Sequence, residues 1–243
     1  MSALARALEL MRTSSQRWET LQLKGHEWRD VERFLEAFGR PLDIFPATGS
    51  PTTTYAMKFT SRERQKPPLR RLESWALWLA KPDKKRAQFH VGGDVATAVF
   101  IGDRWRSWSP TGYLTNEGTL DSTHGLGPGE ALIDPRRHLT SLRFQFVDER
   151  TFLSRSALLV TAYPNPQAVA DQDDFGVTFH LLGAGADLYR LLIDGETGLL
   201  LRSEAQLKGQ VFRIIEIDEI AVNQPLSDAT FDHDRLSAGI VDL

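Results

Sequence analysis

Cysteine is absent from this 243-residue chain. Disulfides, thiolate metal sites, iron–sulfur clusters and cysteine nucleophiles are therefore all excluded together. No long hydrophobic run is present either. The first twelve residues place Arg6, Glu9 and Arg12 among apolar neighbours, unlike the uninterrupted core of a signal peptide. Trp75–Ala80 is among the longest apolar stretches and is far too short to span a bilayer. A soluble, cytoplasmic protein is the expectation. Excess charge of one sign is also lacking, since 29 cations stand against 32 acids, so nucleic acid is not an expected partner.

The motifs of common chemistries are missing as well. The chain has no Gly-x-Ser-x-Gly elbow, no His-Glu-x-x-His and no phosphate loop ending in Gly-Lys-Ser or Gly-Lys-Thr. Gly125–Gly129 matches a phosphate cradle only in composition, and Gly183–Gly185 runs on into another expected strand, which argues against a dinucleotide fold. The six histidines are scattered, and none lies at metal-ligand spacing from another. Asp232–Asp234 and the carboxylates Asp171, Asp173, Asp174, Glu216, Asp218 and Glu219 read more simply as solvated charges than as metal or acid–base sites. The expectation is no enzyme, no catalytic residue, no cofactor and no metal.

What is present is a pattern of short strands. Leu4, Ala7, Leu8 and Met11 recur at helical spacing, so an amphipathic helix opens the chain. Trp18–Trp28 alternates as a strand, and Asp30–Phe38 reads as a second helix, capped by Asp30 and ended by Gly39 and Pro41. Further strands are expected at 53–60, 72–80, 85–91, 95–101, 104–109, 151–162, 175–182, 187–194, 199–207 and 210–222. Gly102-Asp103 suits a two-residue hairpin, as does Lys208-Gly209. A glycine-rich loop at 112–129 leads to a helix over Asp134–Arg143, and 163–174 reads as a loop. This is an antiparallel meander rather than a series of βαβ units.

Several strands are apolar on both faces. Neither parity of Trp75–Leu79 is polar, and Tyr189, Leu191 and Ile193 alternate with Leu192. Both sides of that sheet must be covered, or one must line a cavity. Six tryptophans include two pairs of opposite parity, Trp75 with Trp78 and Trp105 with Trp108. Each pair sends one ring to each face, which fits either a filled aromatic core or a cavity wall. Charge is concentrated at 58–86, where ten cations meet three acids. That segment could meet an anionic surface or an acidic protein partner, or could simply be a solvated strand edge guarded by lysine.

Three stretches carry a family resemblance. Ser74–Pro110 resembles the strand, turn and tryptophan-bearing hairpin of the superfamily of the lipoprotein carrier LolA, its receptor LolB, the regulator RseB and related mycobacterial lipid-binding lipoproteins. Tyr189–Asp232 is similar to that superfamily's closing hairpins and final Leu-x-Asp-x-x-Phe element, and Thr151–Pro164 to the strand that begins its second half. Together they cover about half the chain. The sequence departs from the family in lacking an export signal and a lipobox cysteine, and in inserting Asp30–Pro51.

The resemblance implies an α+β fold: a strongly curved, mainly antiparallel sheet of about eleven strands, an unclosed half-barrel with helices covering its concave side. It implies a single domain over 1–243 with a helical insertion near 30–51. The function it implies is non-catalytic binding of a hydrophobic or amphiphilic ligand, a lipid or lipoprotein acyl chain, by a carrier or sensor. Trp75, Leu77, Phe89, Phe100, Trp105 and Trp108 are then the candidate ligand-facing residues. The alternative is a protein-interaction module whose cavity is filled by side chains.

Overall fold

The computed structural model describes residues 2–39, 70–91, 94–109, 112–117, 126–165 and 181–232; positions 38–39, 70–71, 91, 94, 108–109, 112–117 and 146–147 are described by backbone alone. The expected strand at 53–60 and most of that at 175–182 lie outside these residues.

Helix α1 (Ala3–Thr13) begins where the Ser2 hydroxyl accepts from the Ala5 amide at 3.2 Å, and it buries Ala7, Leu10 and Met11. Strand β1 (Thr20–Asp30) follows. The Asp30 carboxylate then accepts from the Arg33 amide at 3.1 Å and starts α2 (Val31–Gly39), as its capping role in the sequence requires. A meander comes next: β2 (Arg70–Ala80), β3 (Lys84–Val91), β4 (Asp94–Ile101), β5 (Arg104–Ser109) and β6 (Gly112–Glu117). Short α3 (Glu130–Ile133) leads to β7 (Leu142–Phe152), β8 (Arg155–Pro164), β9 (Leu188–Asp194), β10 (Leu200–Leu207) and β11 (Gln210–Val222).

The described strands form one antiparallel sheet of eleven, ordered β6-β5-β4-β3-β2-β1-β11-β10-β9-β8-β7, and it does not close on itself. β1 is the hinge of this order, pairing with β2 on one side and with the last strand, β11, on the other. Each half is thus a local meander, and one long-range pairing joins them.

Strand alternation divides the side chains between two faces. The inner face carries Leu21, Leu23, Trp75, Leu77, Tyr189, Leu191, Ile215 and Ile217, packed with α1, α3 and the turn before α3 into the main core. The outer face carries a separate, smaller cluster of Ala76, Trp78 and Val99, closed by Phe231 from the 3-10 turn Asp228–Phe231 that follows β11. The doubly apolar β2 is accounted for, because each of its faces has its own cover. No helix among the described residues is long and apolar enough to cross a membrane.

Four stretches differ from the sequence expectation. The strand expected at 151–162 is a hairpin, β7 and β8, turning at Leu153 (φ 51°) and Ser154 (φ 59°), two left-handed residues without the usual glycine or asparagine. The helix expected over 134–143 shrinks to a 3-10 turn, Pro135–His138, because Leu142 and Arg143 are drawn into pairing with Pro164 and Tyr163. Finally, the loop expected at 112–129 contains β6 and a 3-10 turn at Gly127–Gly129, and Leu181–Leu182 is helical rather than extended.

Candidate ligand site on the inner face

Cross-strand register lines up small residues across β3, β4 and β5. Ala87 pairs with Ala98 and Ala98 with Ser107, so the three share one inner-face row. Aromatic residues stand on both sides of it. Phe89, half-buried, pairs with Ala96 on one side. Phe100 pairs with half-buried Trp105 on the other, their rings stacked with centroids 6.2 Å apart and 25° between planes. Aromatic side chains thus flank an alanine–serine row, in which Ala87 and Ala98, like Phe100, are buried in the main core. The indole N–H of Trp105 is buried and has no hydrogen-bond partner among the described residues.

Trp75 and Leu77 occupy a different setting. Trp75 lies opposite Gly25, and a Cβ at Gly25 would fall 2.3 Å from its Cζ2; from the other side, a Cβ at Gly129 would fall 2.8 Å from its Cζ3. The indole is clamped between two glycines and is 2% exposed. A Cβ at Gly129 would also meet Leu77 at 2.6 Å, and one at Gly127 would meet Phe89 at 2.0 Å. The Leu126–Gly129 turn therefore lies directly on these side chains. The side chain of Trp108 lies outside the described residues; its backbone pairs with Thr97 and Tyr113.

Beyond this row the inner face is held by buried charge. Glu27 accepts from Arg213 Nε at 2.6 Å and from Arg29 Nε and Nη2 at 2.5 and 2.6 Å, while Arg213 Nη1 donates to the Leu181 carbonyl at 2.8 Å. Burial pushes the Glu27 carboxyl up, but Arg213 and Arg29 together outweigh it and hold it below its ordinary value. Phe34 of α2 sits over both guanidiniums, 5.2 Å from Arg29 and 6.0 Å from Arg213, and against Phe212 at 6.3 Å. α2 is thereby pinned to β1 and β11. Under α3, His138 is wholly buried and its Nε2–H donates to the Ala131 carbonyl at 3.0 Å; burial lowers its pKa to about 4.

One cluster escaped the sequence because only strand register assembles it. On the outer face His26 pairs with Glu216, and Asp218, the extra residue of a bulge in β11, brings its carboxylate 2.9 Å from His26 Nδ1. The three potential ligand atoms lie within 4.8 Å of one another. Glu216 is already engaged, accepting from Arg202 at 2.5 Å, and the group reads as an ion-pair network.

The described part of the 58–86 basic segment is likewise engaged residue by residue. Lys81 lies over the Trp18 ring at 4.5 Å and donates to the Trp18 carbonyl, Lys84 pairs with Asp228 at 2.7 Å, and Arg86 is buried beside Trp78. Residues 58–69 lie outside the described residues.

No protein-family model matches the chain. No curated protein matches it. Among solved structures it is similar to MucB at 13% identity, covering 94% of this chain and 62% of that one, with a TM-score of 0.43. It is also similar to the Mycobacterium tuberculosis lipoprotein LppX at 8% identity, over 93% and 99% of the two chains, with a TM-score of 0.48. A LolA superfamily protein from Nitrosomonas europaea is 9% identical over 97% and 100%, with a TM-score of 0.35. The chain thus spans less than two thirds of the length of MucB.

Proposed function

We propose that this protein binds an apolar or amphiphilic molecule without transforming it, in the inner-face trough of β3–β5. The observation that carries this reading is the Ala87–Ala98–Ser107 row between Phe89 and the Phe100–Trp105 stack, with the buried Trp105 N–H left without a partner among the described residues. An alkyl chain gains from aromatic walls and a small-residue floor. A carbonyl or ester oxygen at its end would accept from Trp105, relieving a buried donor whose isolation costs about 1–3 kcal/mol. Phe89, Phe100 and Trp105 form the proposed wall, and Trp75 and Leu77 support it from beneath the Leu126–Gly129 turn. A non-catalytic role fits the buried ionisable groups, since Glu27, Asp194 and His138 are each committed to structural hydrogen bonds.

A second reading has its own observation. Trp75, clamped between Gly25 and Gly129, behaves as filled core, and a module filled throughout in this way would present surfaces to a protein partner instead.

Ala98→Phe separates the two. Ala98 is 7% exposed, which fits a filled core and also a trough floor shielded by its walls, so exposure does not decide. In an open trough the new ring occupies ligand space: binding of a fluorescent long-chain acyl probe falls at least tenfold while the melting temperature stays within about 2 °C. In a filled core the ring overpacks, costing about 1–3 kcal/mol. A melting loss of several degrees, with no probe binding by the unaltered protein, would sink the ligand reading and favour the module.

A further inference from the structure

The outer face of β7–β10 is finished differently from that of β2–β4. On β9, Leu192 alternates with the inner-face Leu191 and so points outward, where it pairs with Leu159 of β8 on one side and with Arg202 of β10 on the other. Phe152 of β7 stands beside the two leucines, and together they floor an open groove of about 310 Å³. The outward apolar residues Trp78 and Val99 in the first half of the sheet are covered by Phe231, whereas this second floor is bordered by polar and charged side chains alone among the described residues.

Three arginines rim the groove. Arg202 and Arg190 stand on β10 and β9, and Arg150 stands on β7, across the leucines from Arg202. Arg202 is committed, donating to Glu216 at 2.5 Å and to Glu204 at 3.2 Å. Arg190 is not: its one ion pair among the described residues is with Glu204 at 3.8 Å, and Glu204 already accepts from Arg202 and, at 2.7 Å, from Gln206. Arg150 meets Asp148, two residues away on its own strand, in an exposed pair at 3.0 Å, which solvent screens. The lining thus sets three cations against the single carboxylate of Glu204. A guanidinium presents its donors as a planar fork that matches a carboxylate with two parallel hydrogen bonds. The volume lies at the small end of ligand pockets, which run from about 300 to 1,000 Å³.

We propose that this groove binds a small amphiphilic carboxylate, whose apolar body lies on Leu159, Leu192 and Phe152 and whose carboxylate is received by the Arg190 fork. Arg150 adds positive charge from the far side of the floor. The groove is open as it stands, so no segment of the chain has to leave, and the occupant supplies the acceptor that Glu204 is too heavily shared to give Arg190. The site lies on the opposite face from the Ala87–Ala98–Ser107 row and does not depend on what that row binds.

The probe is 4-phenylbutyrate, titrated by isothermal calorimetry against the full chain. It binds at one site per chain, and its neutral analogue 4-phenylbutanamide binds about tenfold more weakly or worse. Arg190→Gln weakens binding of the acid by about tenfold or more and Arg150→Gln by about threefold, while neither changes affinity for the amide. Both side chains are half-exposed, and circular dichroism verifies that each variant is folded. Equal affinity for acid and amide overturns the proposal, as does unchanged affinity in folded Arg190→Gln or the absence of binding at millimolar probe. Displacement of the probe by an equal concentration of acetate would mark an adventitious ion only, and the proposal falls. If the probe is ignored while phosphatidylglycerol vesicles retain the unaltered chain and release Arg190→Gln, the arginines serve a membrane surface and the proposal likewise falls.

Discussion

Gly25 stands directly opposite Trp75 across β1 and β2, and the indole covers the space where a Cβ would be. That Cβ would also come within 2.1 Å of the Glu216 carbonyl oxygen, which belongs to the backbone of β11 and cannot swing away. Gly25→Ala therefore strains the junction between the two halves of the sheet. Overpacking here is expected to destabilise by about 3 kcal/mol, lowering the melting temperature by of order 10 °C. Denaturant unfolding followed by tryptophan fluorescence checks it, and a change below about 0.5 kcal/mol would mean that Trp75 is not clamped.

Glu27 compensates two buried or half-buried arginines at once. Glu27→Gln leaves Arg213 and Arg29 facing a neutral amide and is expected to cost about 3–5 kcal/mol. Replacing Arg213 by Met in the same chain should recover part of that loss, because the uncompensated charge goes with it. A double-mutant cycle on unfolding free energies measures the coupling. Additive losses would show that the pair is not energetically linked.

His138 gives a pH dependence of known sign. Its folded pKa is depressed to about 4 by burial, from an ordinary value of 6.5. Above pH 6.5 both folded and unfolded forms are neutral and the full stability is present. As the pH falls below 6.5 the unfolded chain takes up the proton first, so stability declines until about pH 4. By pH 5 the loss is about 2 kcal/mol, or roughly 4–8 °C in melting temperature. His138→Gln should flatten the profile between pH 7 and 5. An unchanged slope in that variant would assign the dependence to other groups.

Strand positions from β2 to β5 and from β9 to β11 were legible in the alternation of apolar residues and in turns such as Gly102-Asp103 and Lys208-Gly209. The turn at Leu153-Ser154 was not, because neither residue signals a left-handed conformation. With it concealed, one strand was expected across the turn, and most of β7 went unassigned. The short helix after Asp134 was misjudged for a different reason: local capping favoured a helix, but sheet pairing of Leu142 with Pro164 claimed the residues. For the candidate site, parity distinguished Trp75 from Trp78 and indicated that β2 needed two covers. Which cover lies on which ring depends on Gly127, Gly129 and Phe231, far away in sequence, and no local pattern reveals it. The meeting of His26 with Asp218 depends on a bulge that alternation alone cannot register.

Native mass spectrometry of gently purified protein tests the central claim most directly, because a retained amphiphile appears as discrete added mass. The account predicts an adduct of a few hundred daltons that mild organic extraction removes, that a long-chain acyl compound restores, and that Ala98→Phe prevents while the chain stays folded. A folded chain that carries only its own mass and takes up no acyl compound when one is supplied would contradict it.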